Sequence, residues 1–311
     1  MTTTLRLATF NVENLFARWR FKEGVNPADA NKRGWIVDRT QFVELGQDDK
    51  AITGAALREV GADVLALQEV ENVDTLKHFR ARSLGAAYPY VAGVDGNDPR
   101  LIDVAVLSRF PITHIRSHQH FLDPISPTTA LFSRDCLEVD VEVGAGASTR
   151  TVTLYVNHFK SMSGGRSETR EKRVQQAAKV MELVTERFGR NPGDSAFVVL
   201  GDLNDYLATD EEGTPGISDL VGWDQVENVV TRLPADEQWT HYYAKDDEYH
   251  QLDYLLPSAS LAAATTVVPE IYRKGLPLRA NKYTGPRLMG VGMDKPKASD
   301  HCPVVFEIEV A

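Results

Sequence analysis

Short apolar runs broken by polar residues recur along the whole chain. Ala196 to Leu200 is apolar without alternation, which predicts a strand buried on both faces, and it stops at Gly201-Asp-Leu-Asn-Asp205. Extended geometry puts Asp202 and Asn204 on one face of that tip. Val64-Leu-Ala-Leu67 repeats the pattern and ends in Gln68-Glu69, while Leu5 to Phe10 runs into Asn11. Thr151 to Val156 leads into Asn157-His158-Phe-Lys160, Leu101 to Leu107 carries Asp103, Leu252 to Leu256 carries Asp253, and Asp300-His301 precedes a closing strand, Val304 to Val310. Leu137 to Val143 alternates, predicting an antiparallel strand with one wet face, paired across the Gly144–Ser148 turn with Thr151–Val156. Trp239–Tyr243 and Leu252–Leu256 read as a hairpin pair, and Thr265–Val268 as a further strand.

Helical periodicity is clearest over Thr169–Phe188, where Val174, Ala177, Ala178, Met181, Val184 and Phe188 form one stripe that Gly189 terminates. Asp49–Val60 spaces Ile52, Ala56 and Val60 by four, and Asn72 is placed to cap a short helix carrying Val73, Leu76 and Phe79. Arg18 to Gln47, with Trp19 and Trp35, is too long for a plain connection, so it is partly structured or a functional loop.

Composition narrows the class. The 311 residues, 42% hydrophobic and 25% charged, are those of a globular protein, and one domain over 1–311 is expected. No apolar run is long enough to span a membrane, and no basic segment with an apolar stretch opens the chain, so a cytoplasmic location is expected. Two cysteines, Cys136 and Cys302, exclude a disulfide framework and leave buried thiols or a single bridge open. The net charge of −10 argues against nucleic acid held by a broad basic surface and fits a cationic metal partner better. It leaves room for a nuclease with a few local cations, and Gly275–Lys297, with Arg279, Lys282, Arg287, Lys295 and Lys297, is the candidate strip. His114, His118 and His120 have metal-like spacing, but without a companion carboxylate or cysteine they read as a solvated strand surface.

Asn11, Glu69, His158, Asp202 with Asn204, Asp253, and Asp300 with His301 lie at or beside strand tips. One such ending is ordinary turn chemistry; together they predict a shared rim where a ligand binds. Carboxylates and an amide are hard oxygen donors suited to Mg²⁺, Mn²⁺ or Ca²⁺. Two histidines without a nucleophilic Ser or Cys motif point to proton transfer involving water, and the set as a whole to phosphoester hydrolysis.

Six segments carry a family resemblance. Thr9-Phe-Asn-Val-Glu-Asn-Leu-Phe16, Asp63-Val-Leu-Ala-Leu-Gln-Glu-Val70, Val156-Asn-His-Phe-Lys-Ser161, Leu200-Gly-Asp-Leu-Asn204, Leu252-Asp-Tyr-Leu-Leu256 and Ser299-Asp-His301 resemble, in order, the motifs of the endonuclease/exonuclease/phosphatase family. The opening segment and Asn157-His-Phe-Lys-Ser161 look most like its bacterial nuclease-like branch. The resemblance implies a four-layered α/β sandwich, two mixed, mostly antiparallel sheets face to face with helices outside. It implies Glu69 as principal Mg²⁺ ligand with Asn11 and Asp300 around the same ion. Asp202 would orient or deprotonate the attacking water, and Asn204 would hold phosphate or a second metal. His301 would lie at the scissile phosphate with its tautomer fixed by Asp253, and the choice of base between Asp202 and His301 stays open. His158 would contact phosphate or protonate the leaving oxygen, with Asp103 as its carboxylate partner. Arg134 and Lys160 would face phosphate. The implied activity is a Mg²⁺-dependent phosphodiesterase acting on nucleic acid as an endonuclease. A phosphatase or phospholipase on a small or lipid phosphoester is the alternative, and a non-catalytic binding module the third.

Overall fold

Strand-forming runs and amphipathic helices alternate through most of the chain, whose computed structural model describes residues 3–26 and 42–310. In order come β1 (Thr3–Leu15), β2 (Trp19–Phe21), β3 (Phe42–Glu44), α1 (Gln47–Val60), β4 (Val64–Val70), α2 (Val73–Ser83), β5 (Tyr90–Gly93), β6 (Asp103–Ser108) and β7 (Ile112–Arg116). Then follow β8 (Cys136–Val143), β9 (Arg150–His158), α3 (Arg166–Phe188), β10 (Phe197–Asp202), α4 (Ser218–Val221), β11 (His241–Tyr243), β12 (Glu248–His250), β13 (Asp253–Pro257), α5 (Ala259–Ala263), β14 (Glu270–Ile271) and β15 (Val304–Val310). Trp35 and the middle of the long connection lie outside the described residues, while its flanks pair as β2 and β3.

One sheet runs β14-β15-β1-β4-β6-β5 and the other β13-β10-β9-β8-β7. Each is antiparallel except for one central parallel pair, β1 with β4 and β9 with β10. The uninterrupted apolar strands are explained by period two with both faces covered. Leu5, Leu7, Val64 and Ala66 meet Leu154, Val156, Val198 and Leu200 between the sheets. Ala8, Phe10, Leu65 and Leu67 point outward onto Ile52, Leu57 and Leu76 of α1 and α2, and Tyr155, Phe197 and Val199 onto Ala177, Val180 and Val184 of α3. Helix, sheet, sheet and helix make four layers.

Strand direction turns this architecture into a rim. The parallel pairs leave the C-terminal ends of β1 and β4, and of β9 and β10, on one edge of their sheets. Antiparallel neighbours deliver their N-terminal ends to the same edge. Asp202 is therefore opposite both His158 and Asp253 in register, and Asn11 opposite Gln68. Gly201 has φ 135°, and a Cβ there would lie 2.0 Å from the Asn157 carbonyl oxygen, so the Leu-Gly-Asp step admits no side chain between the parallel strands.

Several local expectations are corrected. Leu137–Val143 has no wet face: Arg187 of α3 pairs with both Glu138 and Asp140, so α3 covers the polar side. The hairpin partner of His241–Tyr243 is Glu248–His250, turned at Asp247 with φ 57°, and β13 instead joins the large sheet. Thr265–Val268 forms no strand; pairing resumes at Glu270. β7 stops at Arg116, and His118, 4% exposed, is bonded to Glu138 at 2.8 Å rather than solvated. Both cysteines are buried free thiols. Among the described residues no helix is long and apolar enough to cross a membrane.

Candidate active site

The rim gathers polar side chains that their strands carry out of the core. Asp202 lies at the centre. Its Oδ1 accepts the Asn204 N–H at 2.8 Å, and its Oδ2 accepts from Asn11 Nδ2 at 3.0 Å. The same Oδ2 is 3.5 Å from His158 Nε2 and 3.8 Å from His301 Nε2. Burial pushes Asp202 up to about 7; the His301 charge pulls it the other way, and the Asp253 charge adds to the rise.

Glu69 reaches this group from the facing sheet because its strand is irregular. Pairing of β4 with β6 shifts between Gln68 and Val70, and Glu69 itself has φ 64°. Bulges re-aim side chains in this way, and positive φ in a carboxylate residue is a cost that the surrounding structure holds in place. Glu69 Oε2 accepts the Asn14 N–H at 3.0 Å, and Oε1 lies 3.9 Å from His158 Nε2. Asn204, with φ 52°, donates to the Phe159 carbonyl at 3.2 Å.

The two histidines have opposite protonation. His301 Nδ1 is 2.9 Å from Asp253 Oδ2, which also accepts from Thr240 Oγ1 at 2.7 Å. Burial works against the imidazolium, yet the charges of Asp253 and Asp202 outweigh it and raise His301 well above its ordinary range. His158, buried, faces Arg134 Nη2 at 3.4 Å. Burial first and the Arg134 cation second hold it well below its ordinary range, so its ring is neutral.

Asp300 is held by contacts of its own. Its N–H donates to Glu13 Oε2 at 3.0 Å, its carboxylate is 3.8 Å from Lys297 Nζ, and burial, which would raise it, is outweighed chiefly by the His301 charge, so it is held below its usual range. Among the described residues, ligand atoms of His241, Asp300 and His301 lie within 4.8 Å of one another, as do those of Asp202, Asp253 and His301. Glu69 is in neither trio; His158, 3.9 Å from Glu69 Oε1 and 3.5 Å from Asp202 Oδ2, links it to Asp202.

Three expected residues line the flank. Arg134, 3% exposed, has Nε 3.6 Å from Asp98 Oδ2, with that Nε lacking a hydrogen-bond acceptor. Lys160 has its N–H on Gln176 Oε1 at 2.9 Å, and burial, then the Arg134 and Arg100 cations, lower its ammonium. Asp103 does not pair with His158. Its Oδ1 takes the Gly96 N–H at 2.9 Å, and His158 Nδ1 has no hydrogen-bond partner. Burial, with Asp95, Asp98 and Asp135 nearby, pushes Asp103 up to about 6.

Four groups in or beside the rim were assigned no role from sequence, although Asp205 was noted at the strand tip. Glu13, with φ 47°, ties Lys297 to Asp300. Arg100 grips Asp98 through Nε and Nη2. His241 packs on His301 with ring centroids 4.4 Å apart, and burial with the His301 charge holds it down to about 3. Asp205 accepts from Arg166 and Arg173 of α3 at 2.8 and 2.9 Å, all three fully buried, fixing the segment after Asn204. The apolar-run-plus-acid signal led only to strand tips, whereas Arg100 and His241 lie in a turn and a small hairpin.

Comparison with known proteins agrees with this fold. A family model described as the Endonuclease/Exonuclease/phosphatase family matches residues 8–301. No curated protein matches the chain in sequence. An endonuclease/exonuclease/phosphatase family protein from Bacteroides thetaiotaomicron superposes with TM-score 0.60 at 16% identity, covering 100% of this chain and 99% of that one. Truncated Caenorhabditis elegans TDP2 gives 0.58 at 18% identity over 99% and 98% of the two chains. The human Nocturnin catalytic domain with bound sulfate gives 0.58 at 16% over 99% and 97%. The chain belongs to the endonuclease/exonuclease/phosphatase family, whose enzymes hydrolyse phosphoester bonds and generally use divalent metals.

Proposed function

We propose that the chain is a divalent-metal-dependent phosphodiester hydrolase. The observation that carries this is the convergence on Asp202 of an amide, a neutral imidazole and a protonated imidazole, with the Glu69 carboxylate facing the same neutral ring.

The donor set fits a hard cation. Glu69 Oε1 accepts no hydrogen bond among the described residues and faces the buried centre, where an uncompensated carboxylate is costly. Asn11 and the partly exposed Asp300 add oxygens, and these three residues would hold Mg²⁺ in preference to a tetrahedral N/S-seeking metal. When bound, such an ion supplies Lewis acidity and neutralises charge on the phosphoryl oxygens.

The protein's own groups divide the proton work. Asp202 is placed to take a proton from water as that water's oxygen bonds to phosphorus and the ester P–O bond breaks. His301, charged and held by Asp253, supports the phosphoryl oxygens and returns a proton to the departing alkoxide. His158 is neutral, which suits a hydrogen bond to phosphate better than proton donation. Arg134 and Lys160 attract the anion on that flank.

The sequence placed nucleic acid first among substrates. The basic strip gives that reading little support: Arg279 pairs with Asp294, Arg287 donates to the Tyr283, Pro277 and Ala280 carbonyls, and Lys297 pairs with Glu13. These committed cations favour the second reading, a small or lipid phosphodiester. Hydrolysis of bis(p-nitrophenyl) phosphate before and after EDTA, with Mg²⁺ or Mn²⁺ restored, tests the activity. Turnover is expected to vanish and return, and Glu69→Gln to raise the metal concentration needed by about 10- to 100-fold. Full activity in EDTA sinks the metal reading.

A further inference from the structure

The segments that face the phosphate outrun the sheet that carries them. Register between β9 and β10 ends at His158 opposite Asp202. Beyond it the Phe159 N–H donates to the Asp202 carbonyl at 2.9 Å, and Asn204 Nδ2 to the Phe159 carbonyl. Asn204 also has left-handed backbone, which persists only where its surroundings over-determine it.

One face of α3 supplies that constraint. Arg173 and Gln176, three residues apart and both fully buried, reach the strand tips together. Arg173 Nε donates to Asp205 Oδ2 at 2.9 Å, and its Nη1 to the Lys160 carbonyl at 3.3 Å. Gln176 Oε1 accepts the Lys160 N–H at 2.9 Å, and its Nε2 donates to the Leu131 carbonyl at 3.1 Å, three residues before Arg134. Asp205, the residue after Asn204, also accepts from Arg166 Nε at 2.8 Å and from the Gly216 N–H at 2.7 Å. Two side chains of one helix thus bind the segments that carry His158, Asn204 and Arg134.

Anchoring the helix would not require this chemistry. Ala177, Val180 and Val184 already pack α3 on Tyr155, Phe197 and Val199 of the sheet. Apolar side chains of similar volume often replace a buried ion pair at no cost in stability. They do not fix the distance between two strand tips, which hydrogen bonds of defined length and angle do.

Resting on the phosphodiesterase reading above, we propose that Arg173 and Gln176 are positioning residues for the reaction. They hold the His158–Lys160 and Asn204–Asp205 segments at the spacing that receives the phosphate, without touching the ester. Asn11 and Glu69 belong to the facing sheet, behind α1 and α2, so the metal side keeps its geometry when α3 loosens its hold.

The test is hydrolysis of bis(p-nitrophenyl) phosphate by Arg173→Lys and Gln176→Leu, with the folded fraction of each followed by circular dichroism. Arg173→Lys keeps a cation for Asp205 and loses the arm on Lys160. Gln176→Leu keeps the volume and loses both hydrogen bonds. A displacement of about 1 Å costs about a hundredfold, so kcat/KM should fall by about that factor in each variant. The loss should be shared between a lower kcat and a higher KM, because bound ester and transition state meet the same groups. The Mg²⁺ concentration for half-maximal rate should move less than about twofold, against the roughly 10- to 100-fold of a change at the metal itself. Glu171→Ala, on the exposed face of α3, should match the unmodified protein.

Folded variants with kcat/KM within about threefold of the unmodified protein overturn the proposal. So does a loss that tracks the folded fraction at unchanged KM, or a metal requirement that rises as much as kcat/KM falls. If Arg173→Lys does not fold, Gln176→Leu decides, because it strands no charge; failure of both to fold assigns the pair to the fold and overturns the proposal. No turnover by the unmodified protein with Mg²⁺ or Mn²⁺ removes the phosphodiesterase reading and this role with it, whereas turnover that the variants leave unchanged removes this role alone.

Discussion

Asp253→Asn isolates the charge that keeps His301 protonated. Asp253 is fully buried, 2.9 Å from His301 Nδ1, and Asn preserves shape and a carbonyl oxygen for that contact. What it removes is a unit negative charge beside a unit positive one. At a separation near 4 Å and an effective dielectric of about 20, that attraction is about 4 kcal/mol, a ceiling of about a thousandfold. Thr240 Oγ1, now bonded to Asp253 at 2.7 Å, and the retained Nδ1 contact soften the loss, so about a hundredfold fall in kcat is expected. The sign matters as much as the size. A raised His301 supplies its proton until the pH climbs through its pKa, so it sets the alkaline limb of the unmodified enzyme's profile, while Asp202, pushed up to about 7, sets the acid limb. In the variant the alkaline limb must move to lower pH and narrow the profile. The assay is the pH–rate profile of bis(p-nitrophenyl) phosphate hydrolysis at saturating Mg²⁺. A profile superposable on that of the unmodified protein, or a loss under threefold, refutes the dyad.

Asp202→Asn and His301→Ala should each cut turnover by about 10² to 10⁴ while leaving the thermal melt nearly in place, since Asp202 is buried at a cost; retained activity in both removes them from the chemistry. Asp103 binds its proton more tightly folded than unfolded, so its contribution to stability is complete at acid pH and is lost as the pH rises through about 6. Asp103→Asn, measured by urea unfolding on either side of that range, should gain up to about 3 kcal/mol relative to the unmodified chain at the higher pH; a pH-independent difference rejects the assignment. Asp205→Ala strands Arg166 and Arg173 without their shared carboxylate and should cost roughly 3–5 kcal/mol, with an unchanged urea midpoint as the contrary result.

The architecture was legible because period-two burial and strand-tip acids are local signals. Val64–Leu67 and Phe197–Leu200 sit where their apolar runs place them, and Asn72 caps α2 by accepting the Thr75 N–H. The rim was legible for the same reason, with Asn11, His158, Asp202 and Asp253 each carried by a run that announces itself. What escaped depends on contacts between distant segments. That Glu138 and Asp140 would be covered follows from Arg187, which lies 49 and 47 residues away. The fate of His118 follows from where β7 stops, and that of Asp103 from a Gly96 N–H in a turn. Glu69 was found by its neighbours in sequence, but its bulge and positive φ, which aim it, leave no mark in the residue types around it.

Because neighbouring strands that run both ways meet at one rim, the opposite end of the sandwich carries none of the chemistry. The Gly144–Ser148 turn, the step from α1 into β4 and the link from α3 into β10 all lie there. Of these, the turn with Ala145 and Gly146 exposed is where insertion or relocated termini are expected to be tolerated, whereas Ala62 and Gly193 hold the other two connections into the core, and the candidate site lies a full strand length away.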